Sequence, residues 1–395
     1  MKFTASIPAK ILGVLCTLCC VGGAQAAPRF PPPLGLPSVL HPADNRPMPA
    51  KIALGRKLFM DRRLSHNNTF SCAMCHVPEQ GFTSNELGTA IGVEGQTVRR
   101  NSPTILNVAF VRRLFHDGRE FSLEAQAWGP LLASNEMANP SVGYVIERIR
   151  QLPDYRGLFE QAFGGHKADM QTVGAALAAY QRTLVSGNSR FDRWHYGKDR
   201  NALSAEEKAG WAVFSGKGGC TACHAVGPKH ALFADDKFHN TGIGYARSMG
   251  LKTRYQVELG GGARTEVGHE MLDSFEQSLP DVGRYEITLD PADRWAYRTP
   301  TLRNAALTAP YMHDGSLGTL QEVVEFYDQG GIDNPDKDPR LHPLELSAAE
   351  KSALVAFLKA LTGDNVAALA RDARRAAPIG RWSGRDPASV YSGRH

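Results

Sequence analysis

Two five-residue runs, Cys72-Ala-Met-Cys75-His76 and Cys220-Thr-Ala-Cys223-His224, constrain this chain more than anything else in it. In a Cys-x-x-Cys-His run each thiol can bond one vinyl group of a haem, and the adjacent imidazole reaches the iron from the proximal side. The two runs lie about one small domain apart. A four-thiolate zinc site is the competing use of two such pairs. The long separation, and a His directly after each second Cys, argue against it. A thioredoxin-like redox pair fits less well, because neither run sits in a βαβ pattern.

The other cysteines agree. Of seven in all, Cys16, Cys19 and Cys20 fall in an N-terminal segment with Lys2 and Lys10, an apolar run from Ile11 to Val21 and a small-residue end, Ala24-Gln25-Ala26. Residues 1–26 read as a secretory signal peptide. The apolar run is too short to span a bilayer, and the residues before Cys19 and Cys20 make a poor lipoprotein signal. Cleavage leaves Cys72, Cys75, Cys220 and Cys223, all inside the two motifs, so no disulfide is available. Export to the periplasm fits, since covalent haem attachment takes place outside the bacterial cytoplasm.

Loss of Lys2 and Lys10 lowers the formal net charge from +5 to +3. Four haem propionates would bring it to about −1. The basic sequence therefore says little about nucleic acid, and no nucleic-acid motif is present. Residues 27–48 hold Pro28, Pro31, Pro32, Pro33 and Pro37 and read as an extended lead-in. The tail, 364–395, carries Arg371, Arg374, Arg375, Arg381 and Arg385 and reads as a surface wrap or a disordered end.

Between them lies a duplicated, mostly helical unit. Ile52, Leu54, Leu58 and Phe59 recur near helical spacing before the first motif. Ser204-Ala-Glu-Glu207 is a capping box that opens a helix with Trp211, Val213 and Phe214 before the second. Thr319-Leu-Gln-Glu322 opens another, stopped by Gly330 and Gly331, and Ser347-Ala-Ala-Glu350 opens a last one. The alanine-rich run from Val173 to Leu184 closes the first unit. The expected fold is mainly α: two class I cytochrome c-like domains, 49–195 and 196–363, each with one covalent haem c, long loops and little β-structure.

Further motifs sharpen this. They are Leu54-Gly55-Arg56-Lys57-Leu58-Phe59 with Asp61 and Arg63-Leu64-Ser65; Arg100-Asn101-Ser102-Pro103-Thr104; Asp117-Gly118-Arg119; and Pro300-Thr301-Leu302-Arg303-Asn304 with Thr308 through Gly315. On these, over about residues 45–362, the chain resembles the bacterial di-haem cytochrome c peroxidase family, which includes the methylamine-utilisation protein MauG. The resemblance implies an N-terminal haem that meets peroxide and a C-terminal haem that passes it electrons.

The proximal ligands, His76 and His224, follow from the motifs themselves. The resemblance bears on the sixth ligands. Many family peroxidases cap the first iron with a His from the loop that here runs from Val77 to Arg99. This loop has none, and the matching position is near Val93. An open first iron is expected. On the second iron the peroxidases use a Met at the position of Tyr327, where MauG has a tyrosine. A core aromatic is the plain alternative for Tyr327, and Met249, Met271 and Met312 are rival ligands. The resemblance also implies Glu136 as acid–base group, Gln126 as distal amide and Pro130 as the residue shaping the pocket. It implies one Ca2+ held by the Asn101 side chain and the Thr308 and Pro310 carbonyls.

Two departures stand out. The inter-haem tryptophan of the family is replaced by His116, a spacer, a hydrogen-bond bridge or a ligand. The surface tryptophan of MauG, two residues before the second motif, is replaced by Gly218; Trp211 and Trp194 are near in sequence but do not match. Three functions are thus compared. One is reduction of hydrogen peroxide with electrons from a small periplasmic cytochrome c or cupredoxin. Another is MauG-like oxidation of side chains on a partner protein, and the third is plain electron carriage. Members of the family are often homodimers; these residues carry no self-contact signal.

Overall fold

The structure, a computed structural model, describes Met1, residues 32–251 and 280–375, and the backbone of 254–258 and 264–268. Most of the expected signal peptide, the tail beyond Arg375 and Met271 lie outside the described residues. Among the described residues the helices of nine or more residues are α1 (Pro49–Met60), α2 (Val142–Gln151), α3 (Met170–Gln181), α4 (Ala205–Ser215), α5 (Leu320–Asp328), α6 (Ala348–Lys359) and α7 (Val366–Arg374). Strands are few. β1 (Phe238–His239) pairs antiparallel with β4 (Tyr297–Arg298), and β2 (Arg254–Glu258) with β3 (Arg264–Gly268). No helix among the described residues is long and apolar enough to cross a membrane.

The capping boxes at Ser204, Thr319 and Ser347 all form, each with its Glu reaching back to the cap. The alanine-rich helix starts earlier than its apolar pattern suggests. Asp169 caps it, with Thr172 as the reciprocal partner, so it spans 170–181 and Leu184 lies beyond its end. Asp and Thr satisfy the same two orphan amides as Ser and Glu do elsewhere.

The duplication shows in how the helices cross. In the first unit α1 packs on α3; a Cβ on Gly55 would lie 1.9 Å from the Ala176 carbonyl oxygen, beside Tyr180. In the second, α4 packs on α6; a Cβ on Gly210 would lie 1.9 Å from the Ala353 carbonyl oxygen, beside Phe357. Each glycine lets two backbones touch four residues from a buried aromatic. Around the first crossing Leu54, Leu58, Phe59, Val173 and Leu177 form one core. Around the second Val213, Phe214, Leu354, Phe357 and Leu358 form another.

Two described flanking segments, around residues 34–45 and 366–374, cross between the units. Part of the proline-rich lead-in lies where the units join: the Leu34 carbonyl accepts from the Asn188 amide of the first (2.9 Å), and the Gly35 carbonyl accepts from Arg303 of the second (2.7 Å). Asn45 then reaches Glu124 and the Ala175 carbonyl in the first. Conversely α7, from the basic tail, packs on the first core through Val366 and Ala373. Its Asp372 meets Arg56 at 2.8 Å and its Arg374 meets Glu79 at 2.6 Å. The described part of the tail is thus an ordered helix. Phe191, from the helix Arg190–His195, joins the second core.

Candidate active site

Both motifs open onto one cavity of about 820 Å³, lined by Cys72, Cys75 and His76 at one end and Cys220, Cys223 and His224 at the other. The first motif is a single helical turn, Cys72–Cys75, which sets the two sulfurs on one face three residues apart. The second is a 3₁₀ turn, Cys220–Ala222, entered through Gly219 at φ 60°. All four thiols are free of disulfides and half-buried.

Each motif histidine is oriented in the same way. His76 Nδ1 donates to the Phe82 carbonyl (3.2 Å), and His224 Nδ1 donates to the Phe233 carbonyl (2.8 Å). Phe82 and Phe233 both adopt positive φ, 57° and 52°, within the turns that bring these carbonyls round. Burial lowers both imidazoles, His76 to about 4. A neutral ring with Nδ1–H engaged leaves the Nε2 lone pair for a metal. The donor sets therefore fit a c-type haem at each motif.

The wall near the first motif carries Gln126, Pro130 and Glu136. Gln126 ends the short helix Leu123–Gln126, and Pro130 lies in the next one, Trp128–Leu132. Burial raises the Glu136 carboxyl above its ordinary value, and Arg119 offsets only part of this. The loop in which family peroxidases place a histidine is tied to this residue. The Val93 amide donates to the Glu136 carbonyl at 2.9 Å, and the Val93 side chain is 3 % exposed within the core. A Cβ on Gly92 would collide with Asn135 and Glu136.

Tyr327 lines the cavity at the second motif from α5, with burial raising its phenol. A phenolate there requires a cation as partner, because burial alone favours the protonated form. Met249 is 57 % exposed and does not line the cavity, whereas Met312 does. Asn101, Thr308 and Pro310 all line it too. Asn101 is held between segments: its Nδ2 donates to the Gly88 carbonyl (2.8 Å) and its amide to the His313 carbonyl (2.7 Å).

Sequence reasoning missed a feature of the middle of the cavity. Residues 102–118 and 299–315 align without a gap at an offset of 197, pairing Pro103 with Pro300, Asn107 with Asn304 and His116 with His313. Both asparagines take φ 63°. His116 Nε2 donates to the Asn101 carbonyl at 2.9 Å, and burial lowers its ring to about 3, so it is a neutral hydrogen-bond bridge. His313 stacks on Tyr297, ring centroids 3.5 Å apart, and its buried Nε2 has no protein partner. Arg100 spans the same region, bonding Asp117 (2.5 Å) and Asp281 (2.7 Å). Burial works against the Asp281 carboxylate, yet Arg100 outweighs it and holds the group far below the usual range. The ungapped repeat was the signal for His313.

Comparison with known proteins agrees with these features. Residues 49–200 match the model of the di-haem cytochrome c peroxidase family. The chain is 42 % identical over 355 residues to cytochrome-c peroxidase IdrP1 of Denitromonas iodatirespirans, covering 87 % of this chain and 90 % of that one. It is 39 % identical over 331 residues to the methylamine utilization protein MauG of Methylorubrum extorquens, covering 84 % and 83 %. Among solved structures it is similar to a MauG-like protein associated with microbial copper homeostasis (TM-score 0.70, 32 % identity, 86 % and 97 % of the two chains). It is also similar to the diheme peroxidase BthA of Burkholderia thailandensis (TM-score 0.64, 26 % identity, 86 % and 94 %). With two haem-binding motifs, a mainly helical fold and these relatives, the chain belongs to the di-haem cytochrome c peroxidase family that includes MauG.

Proposed function

We propose that the protein is a periplasmic peroxidase that reduces hydrogen peroxide to water with electrons from a small redox protein. In this reading each unit is a cytochrome c-like domain with one haem c. The first would be held by Cys72, Cys75 and His76, and the second by Cys220, Cys223 and His224 together with Tyr327. A haem held at the first motif would supply the redox chemistry by which the donor's electrons reduce peroxide. Glu136 takes the proton from the near oxygen and returns it to the leaving one. Gln126 orients the bound peroxide, and Pro130 limits the room beside it. Asn101, Thr308 and Pro310 would hold a Ca2+ through their oxygens, a donor set that suits this ion. Residues 1–26 direct export.

The observation that carries this reading is Glu136: a carboxyl raised by burial, on the cavity wall near the first motif, with Val93 where other members place a blocking histidine. A second reading, oxidation of side chains on a partner protein, is favoured by Tyr327 on the cavity wall at the second motif. Steady-state peroxide reduction with a reduced cytochrome c or cupredoxin tests the first. It is compared with product analysis after peroxide alone is added to protein partners. Catalytic consumption of the reduced donor supports peroxidase action; covalent change in a partner without donor turnover supports the second reading.

A further inference from the structure

Electrons for peroxide must enter from a surface, and one surface is joined to the second motif by stacked rings. On α4, Trp211 and Phe214 are three residues apart and stack, centroids 6.0 Å apart and planes at 24°. Phe214 is buried and forms part of the cavity wall. Outward, Trp211 meets Trp194 at 6.5 Å and His195 at 5.7 Å. Both tryptophans are partly exposed and His195 is exposed. Both indoles pack on the second core, and because they touch each other and continue through Phe214 to the cavity wall they also form a path along which an electron can move.

The surrounding charge selects the partner. The Lys208 ammonium bonds the Arg200 carbonyl (2.8 Å) and Tyr196 bonds the Gly227 carbonyl (2.9 Å), so segments 194–200, 208–217 and 227–230 converge on Trp211. This face exposes Lys198, Arg200 and Lys229, while Lys217 beside them is paired with Glu350 at 3.2 Å. Of the four carboxylates in 190–230, Asp192 is buried against Arg303 and Glu207 answers Arg190; Asp199 and Glu206 remain exposed.

We propose that the Trp194–Trp211 face is the docking surface for a small acidic one-electron redox protein, and that Trp211 carries its electrons toward the second motif. The proposal rests on the peroxidase reading and names its partner class. Two electrons from two reduced partner molecules, with two protons, convert each hydrogen peroxide to two waters.

The test uses the full holoprotein, an acidic cupredoxin, a basic cytochrome c and a small dye reductant. Calorimetric titration should show the acidic protein binding, weakened about tenfold by K198E/K229E and by added salt. Trp211→Phe should leave the dye-driven turnover unchanged while slowing turnover at saturating acidic protein. Equal or tighter binding of the basic cytochrome, unchanged affinity in K198E/K229E, or unchanged cupredoxin-driven turnover in Trp211→Phe would each overturn the proposal. Absence of dye-driven peroxide reduction in the unaltered protein would instead remove the peroxidase reading, and the calorimetry would still judge the surface.

Discussion

At the scale of single residues, the proposed reading gives Glu136 and Tyr327 different tasks, so changing each should fail in a different way. Glu136→Gln keeps the shape of the wall but cannot take a proton. It should slow the reaction with peroxide by roughly 10²–10⁴-fold while leaving cyanide binding intact, both read by stopped-flow mixing. The sign of the pH dependence follows from the raised carboxyl. Only the ionised form accepts a proton, so the rate should fall as pH drops through its raised value. The glutamine variant should lack that acid limb. Tyr327→Phe should change only the second haem's absorption and raise its potential, since a phenolate oxygen favours ferric iron; an unaltered spectrum would make Tyr327 a core aromatic. The motif ligands were legible because five consecutive residues state them. Glu136 was legible only through family resemblance, since nothing in Ser134-Asn135-Glu136 announces that folding will bury it. His313 needed the repeat to be found, because its role depends on Tyr297 lying against it.

At the scale of elements, the two glycine crossings explain why each unit is one turn-precise assembly. An alanine at Gly210 would gain about 1 kcal/mol in helix propensity. Its Cβ would nevertheless meet a backbone carbonyl at 1.9 Å, which no rotamer relieves. Parting α4 from α6 costs roughly 1–3 kcal/mol, so Gly210→Ala should lower the thermal midpoint despite the better helix former. Calorimetric scanning checks this, and a raised midpoint would show that the crossing can relax. Helices α1, α3, α4, α5 and α6 were readable from periodicity and capping boxes, to within a few residues, whereas α2 was not. The crossings were not, because a glycine in a helix looks the same whether it faces solvent or another backbone. The helical run in the basic tail was equally hidden: its arginines suggest a solvated surface, but Val366, Ala370 and Ala373 share a buried side.

At the scale of the whole molecule, the exchanged ends tie the two units together. The lead-in reaches the second unit where Arg303 and Asp192, 1 % and 0 % exposed, form a two-point ion pair beside Gly35. Removing one partner leaves a charge buried alone, so Asp192→Ala should cost about 3–5 kcal/mol, measured by denaturant unfolding. The same fixity bears on activation. The loop from Val77 to Arg99 has no histidine to release, and it is held at Gly88 by the Asn101 side chain and at Val93 by a backbone bond to Glu136. The oxidised holoprotein should therefore show one high-spin and one low-spin haem by electron paramagnetic resonance. It should bind cyanide and react with hydrogen peroxide on mixing, with no prior reduction of the second haem. A Soret band that stays unchanged until an electron is supplied would mean that another group closes the first site. In that case the pinned loop would be a structural tie between Glu136 and the core rather than the reason for an open iron.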